Sequence, residues 1–268
     1  MELATLRLSA ADDAGIAHLE LHRPERRNAF SPRMAHELRA VLDALARDAA
    51  VRVVVLRGAG GTFCSGGDLQ GDGDAAPDAG GAPASAADVM RDVYNPAVLA
   101  LHAFPKPVLA AVEGVAAGAG VNLALGCDVV YAAEGARFCE IFARRSLALD
   151  CGGSWLLPRL VGLHRAKEIA LFADWLDAQD AKRMGIVAEV FGADELGERV
   201  DERAARLAAL PPLALAAIKR NLADSASLSF AESLEREASA QTELAATRDF
   251  GEAMRAFFEK RAPRFEGR

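Results

Sequence analysis

The run Val51-Arg-Val-Val-Val-Leu-Arg57 follows directly on a segment whose apolar residues recur at helical spacing. That succession constrains the fold more than anything else in the chain. Between Ser31 and Asp48, Met34, Leu38, Val41, Leu42 and Leu45 fall on one helical face, while the β-branched run after them has the character of a buried strand. Ile16 to Leu21 supplies an earlier strand, so the order is β-α-β. Ser31-Pro32 marks the helix start, a capping hydroxyl followed by proline at the first helical position. Val108 to Val112 and Val129 to Ala132 repeat the pattern with a short helical stretch between them, which predicts a sheet crossed by helices, an α/β fold.

A chain of 268 residues buries a sizeable core, and no apolar run approaches the ~20 residues of a membrane helix. The formal charge of −7 repels polyanions, which argues against nucleic acid as a partner. Local basic clusters such as Arg23, Arg26 and Arg27 can still hold phosphates. Cys64, Cys127, Cys139 and Cys151 are too few and too scattered for a disulfide framework, and the start has neither signal-peptide nor transit-peptide character; the expectation is a cytoplasmic protein. Residues 71 to 88 contain only Gly, Asp, Ala, Pro and Ser, which reads equally as a lid or as a plain linker. From about Leu163 the spacing is helical, with amphipathic stretches near 164–173, 194–209, 212–223 and 229–259. No repeat of solenoid or propeller length is apparent.

Several common sites fail on spacing. After Gly118-Ala-Gly120 the third glycine of a dinucleotide fingerprint would fall at Leu123. There is no phosphate-binding loop ending in Gly-Lys, and Ser65 and Ser154 lack the frame of a nucleophile elbow. His18 and His22 would stand ~13 Å apart on an extended strand, too far to share an ion, so no metal site is expected. Two Gly-rich turns after apolar strands remain, Gly61 to Asp68 and Glu113 to Gly120. Small residues there leave backbone N–H groups open, and a helix beginning near Ala119 adds its positive end, so the two turns together can polarise a thioester carbonyl. Taken singly, each turn reads as glycine closing a tight connection.

The segments Leu21 to Phe30, Phe63-Cys-Ser-Gly-Gly-Asp-Leu69, Gly114 to Gly120 with Cys127-Asp128, Asp150-Cys-Gly-Gly-Ser-Trp-Leu-Leu-Pro-Arg159 and Phe257-Phe-Glu-Lys-Arg261 resemble, in order and spacing, the crotonase (enoyl-CoA hydratase/isomerase) family. The resemblance implies a ββα spiral core over residues 1–195 and a helical trimerisation region over 196–268, in a homotrimer or homohexamer. It implies an acyl-CoA substrate, with coenzyme A as part of that substrate and no separate cofactor. By the family pattern the oxyanion donors are the N–H groups of Gly67 and Ala119; one such donor is typically worth ~3 to 4 kcal/mol of barrier. Arg26, Arg27, Ala29, Ser65, Asp68 and Leu69 correspond to the CoA-binding surface, Phe257 and Lys260 to carboxy-terminal contacts with CoA, and Phe142 to the acyl pocket.

Family hydratases use two glutamates to activate water and deliver a proton. Aligned through Cys127-Asp128, those positions hold Asn122 and Phe142, neither of which moves a proton at neutral pH. Asp150 stands where isomerase members of the family, such as the ring-opening isomerase of phenylacetyl-CoA breakdown, carry an acid; a single carboxylate can shift a double bond without water. Its competing reading is a cap on a helix beginning near Gly152 or Gly153. Glu140 is a second candidate if the chain is extended there, against an ordinary surface role, and Asn122 is a candidate to hold a water or a substrate carbonyl. Asp128 reads as a structural acceptor. The expectation is single-base isomerisation of an enoyl-CoA. Hydration is the alternative, and a non-catalytic acyl-CoA-binding protein is the reading from another class.

Overall fold

The computed structural model describes residues 2–69 and 85–268. Most of the expected lid or linker at 71–88 therefore lies outside the described residues. Its last residues do not: Ser85 caps a one-turn helix α2 (Ala86–Val89) through a reciprocal capping box with Asp88.

The large sheet holds β1 (Leu6–Leu8), β2 (Ile16–Leu21), β3 (Val53–Gly58), β4 (Val108–Val112), β6 (Val129–Ala133) and β9 (Glu189–Phe191), side by side in that order. Only the β1–β2 pair is antiparallel. A smaller sheet combines β5 (Val115–Ala117), β7 (Arg137–Cys139) and β8 (Leu176–Asp177). Two isolated parallel bridges, Phe30 with Gly67 and Cys64 with Ala116, extend this second layer toward the amino end. Each turn of the chain thus contributes a strand to the large sheet, a short extended piece to the second layer, and a helix. The helices in question are α1 (Pro32–Arg47), α2 with α3 (Asn95–His102), α4 (Ala119–Leu125), and α5 (Gly153–Val161) with α6 (Leu163–Phe172). The result is a ββα spiral.

Local chemistry explains the start of α1: the Ser31 hydroxyl accepts from the Met34 N–H and Pro32 opens the helix. Met34, Ala35, Leu38, Val41, Leu42 and Leu45 face the core, each large side chain contributing roughly 1.5–3 kcal/mol. Asp128 is structural, accepting from the Val108 N–H at 2.7 Å and from Lys219 at 2.6 Å.

The carboxy-terminal half departs from the expected helical run in three ways. After α7 (Ala178–Met184), β9 joins the sheet beside β6, with Tyr131 opposite Glu189. The expected helix at 229–259 is two helices, α10 (Phe230–Ala245) and α11 (Arg248–Glu259), the second capped afresh by Thr247. Finally, α8 (Leu196–Ala208) lies flat on the sheet: Leu196, Val200, Ala204 and Ala208 share a buried cluster with Ile16, Val53, Val55 and Leu109. A division at 195/196 would cut through that cluster. The change from sheet-covering helix to outlying helices falls after Ala208, with α9 (Pro212–Asp224) the first of the latter.

Candidate active site

The site is built where the second layer crosses the helix starts. Cys64 is held between two strands' worth of hydrogen bonds: its N–H donates to Val115 O at 3.0 Å and its carbonyl accepts from the Ala117 N–H at 3.0 Å. These bonds stitch the two Gly-rich turns together. Beyond Cys64, the Phe30 N–H donates to Gly66 O at 2.8 Å and the Asp68 N–H donates to Phe30 O at 3.0 Å. In a parallel ladder the residue between such partners turns its own N–H to the opposite side, so Gly67, which is exposed, presents its N–H away from Phe30. Gly66 reaches this path with φ 110°.

The second donor sits at the start of α4. Gly118 has φ 49° and gives its N–H to Cys139 O at 2.8 Å. Ala119 is the first helical residue, so its N–H has no acceptor within the helix. Gly120 must be glycine for a separate reason: a Cβ there would overlap the carbonyl oxygen of Cys64. Both expected oxyanion donors thus lie on adjoining turns whose approach depends on missing side chains.

Beside α4 runs the segment that carries the carboxylates. Glu140 follows β7 and opens a 3-10 turn (Ile141–Arg145), so the chain is not extended through 140–142 as expected. Nor is Glu140 on the surface: it is 1% exposed, with neither carboxyl oxygen paired to protein. Burial, reinforced by the charge of Asp150, pushes its carboxyl up to about 8. Phe142 is buried against Gly118. Asp150 is half-buried and one of its carboxyl oxygens is buried without a protein partner. Burial raises its carboxyl as well, opposed by a hydrogen bond from the Cys151 side chain. The capping reading of Asp150 fails, because Gly152 is the residue before α5 and no side chain caps that helix. Positive φ values at Cys151 (48°) and Gly152 (84°) turn the chain sharply between the carboxylate and the helix. Asn122, fully buried on α4, donates from Nδ2 to the main-chain carbonyl of Asp150 at 2.9 Å.

Of the residues expected to meet CoA, Arg26 and Arg27 are exposed on a short turn, and Arg27 adopts φ 50°. The half-buried Ser65 hydroxyl donates to Arg26 O at 3.4 Å, and its N–H donates to Arg27 O at 3.0 Å, which ties the turn to the oxyanion segment. Leu69 is exposed, and Ala29 is buried with its carbonyl accepting from Arg23. Asp68 is turned inward: its carboxylate pairs with Arg23 at 2.9 Å, both side chains less than a tenth exposed. Arg23 is thereby a framework residue and not a phosphate ligand. Phe257 and Lys260 stand exposed at the end of α11, remote in sequence from the rest of the site.

Tyr94 was not anticipated. Its ring packs on Phe30 with centroids 5.2 Å apart, its hydroxyl donates to Phe30 O at 3.4 Å, and burial with the nearby charges of Asp68 and Asp150 pushes its phenol up to about 12. A lone tyrosine next to a composition-poor segment carries no sequence signal for such a place. Among the described residues no cluster of three metal-ligating side chains occurs, and no helix is long and apolar enough to cross a membrane.

The ββα spiral, with two Gly-rich turns meeting beside buried carboxyls, is the fold of the crotonase class of enzymes. The chain belongs to the enoyl-CoA hydratase/isomerase family, matching it over residues 11–268. It is 43% identical over 268 residues to a Rhodobacter capsulatus protein described as "Probable enoyl-CoA hydratase", covering 100% of both chains. It is 39% identical over 256 residues to the 1,2-epoxyphenylacetyl-CoA isomerase of Escherichia coli, covering 96% of this chain and 97% of that one. A solved enoyl-CoA hydratase of Bacillus anthracis superposes with a TM-score of 0.90 at 29% identity, covering 99% of this chain and 100% of that one. The expected crotonase fold and the expectation of an enzyme both stand on these findings.

Proposed function

We propose that the protein is an enoyl-CoA isomerase working through one base, Asp150. The observation that carries this reading is the composition of the site: a half-buried, partly unpartnered Asp150 carboxylate on a loop tied to α4 through Asn122, with Asn122 and Phe142 at the positions where hydratases hold glutamates. Asp150 removes a proton from C2 of a 3-enoyl thioester. The electron pair moves onto the thioester oxygen, which accepts hydrogen bonds from the Gly67 and Ala119 N–H groups. The protonated Asp150 then returns the same proton to C4, and the double bond moves from C3–C4 to C2–C3 with no water consumed. Coenzyme A is part of the substrate, bound over Arg26, Arg27, Ser65 and Leu69 with Phe257 and Lys260 at the carboxy end, and no further cofactor takes part.

Single-turnover reactions on cis-3-, trans-3- and trans-2-enoyl-CoA, read by mass spectrometry, test this. The expected product has unchanged mass, and Asp150→Ala slows its formation by roughly 10² to 10⁴. Gain of one water with Asp150→Ala harmless overturns it. Hydration is the second reading, favoured by one observation, the buried acid at Glu140.

The reading also includes a homotrimer or homohexamer in the cytoplasm. Support for assembly comes from apolar side chains left exposed on the outlying helices, Ile218 and Leu222 on α9 and Phe250, Met254 and Phe257 on α11. Four free, buried thiols suit a reducing compartment. Light scattering on the purified protein gives the subunit number.

A further inference from the structure

Three side chains at the reactive end of the site carry buried oxygens that have no protein partner: Oδ1 of Asn122, both carboxyl oxygens of Glu140, and Oδ1 of Asp150. The base role accounts for Asp150. Nothing in an acyl chain of carbon and hydrogen accounts for the other two, since an oxygen buried against hydrocarbon loses water and gains no partner, at roughly 1–3 kcal/mol each.

Both groups stand on fixed backbone. The main chain beside Glu140 is fixed by the bond from Gly118 to Cys139 O, and the side chains of Ile141 and Phe142 lie against Gly118. Asn122 is fixed by its bond to Asp150 O and by the close packing of Gly153 on its amide. That bond uses the amide N–H, which leaves Oδ1 as an acceptor. Glu140 keeps its proton at neutral pH, because burial and the Asp150 charge both oppose ionisation, so it is a donor. A hydroxyl group is the smallest partner that accepts from one and donates to the other.

We propose that Glu140 and Asn122 are a donor and acceptor pair for a hydroxyl on the acyl group, so that the preferred substrate is a hydroxylated enoyl-CoA. The proposal rests on the acyl-CoA reading above and adds a specificity determinant, Glu140, to it. A water molecule has the same hydrogen-bonding chemistry, and the test separates the two sources.

The experiment compares kcat and KM for 3-enoyl-CoA thioesters of equal chain length with and without a hydroxyl beyond the double bond, in the wild type, Glu140→Gln and Glu140→Leu. The wild type is expected to favour the hydroxylated substrate by roughly tenfold to a hundredfold or more, because a site built to bond a hydroxyl rejects the analogue lacking it. Glu140→Gln, which keeps an N–H donor, retains the preference to within a few-fold. Glu140→Leu abolishes it, chiefly through KM, while its thermal midpoint stays at or above that of the wild type. No preference in the wild type, a preference that survives Glu140→Leu, or addition of water to the unsubstituted chain overturns the proposal. If neither thioester isomerises, calorimetric binding of the corresponding unreactive CoA thioethers decides. A hydroxyl preference then leaves this pair standing and removes the isomerase reading; equal binding removes the pair.

Discussion

The side-chain amide of Asn122 holds the main-chain carbonyl of Asp150 at 2.9 Å, so the helix that opens at Ala119 also fixes the loop that carries the Asp150 carboxylate. Asn122→Leu breaks this tie while removing a buried oxygen that has no protein partner, and the two effects on stability offset. Catalysis has no such compensation, since a misplacement of about 1 Å at a reacting group costs on the order of 10²-fold. The expected outcome is a large fall in kcat with a nearly unchanged urea midpoint. A variant with full kcat would show that Asn122 does not position the base.

Gly120→Ala is expected to destabilise the fold by about 1–3 kcal/mol and to reduce kcat together, because the new methyl overlaps the Cys64 carbonyl that accepts from Ala117. Denaturant unfolding and steady-state kinetics on the same preparation check the coupling. Loss of stability with intact turnover would mean that the two turns are not tied through Cys64.

Arg23 and Asp68 form a pair whose side chains are 7% and 5% exposed. Removing one partner takes a buried ion pair from the other, so Arg23→Met is expected to destabilise the fold, and in the double variant Arg23→Met/Asp68→Leu the loss is smaller than the sum of the two single losses. A double-mutant cycle by chemical denaturation measures it, and strictly additive losses would contradict the pairing.

Stability should fall as pH rises from about 4.5 toward 8. An unfolded chain releases the Glu140 proton near the ordinary 4.5, whereas the folded protein holds it to about 8. Between these values the native state binds more protons than the unfolded one, so the unfolding free energy declines with pH. Asp150, raised as well, acts in the same direction at the acid end of the window. Glu140→Gln is expected to flatten the profile; an equally steep profile in that variant would place the buried proton elsewhere.

The amino-terminal half was legible because its signals are redundant. At α1, the capping serine, the proline and the apolar stripe agree, and Val53–Gly58 is too β-branched to be anything but a strand. At the candidate site the meeting of the two turns was legible, since glycines mark them, but the burial of the acids was not. A lone glutamate after a strand reads as surface, yet Glu140 is buried at the entry of a 3-10 turn that brings Ile141 and Phe142 over Gly118, a contact between distant segments. Asp150 looked equally like a cap until the turn at Cys151 and Gly152 separated it from α5. In the carboxy-terminal half, β9 is three half-buried residues long, too short for a period to show, and an amphipathic helix such as α8 does not say which surface it covers.

Gly67 takes its orientation from Phe30, thirty-seven positions earlier, and Cys64 takes its own from the strand at Val115–Ala117. Neither bridge is local, so a chain emerging from denaturant can recover its helices while the two turns are still apart. Turnover, followed during refolding alongside circular dichroism, should be the last signal to return.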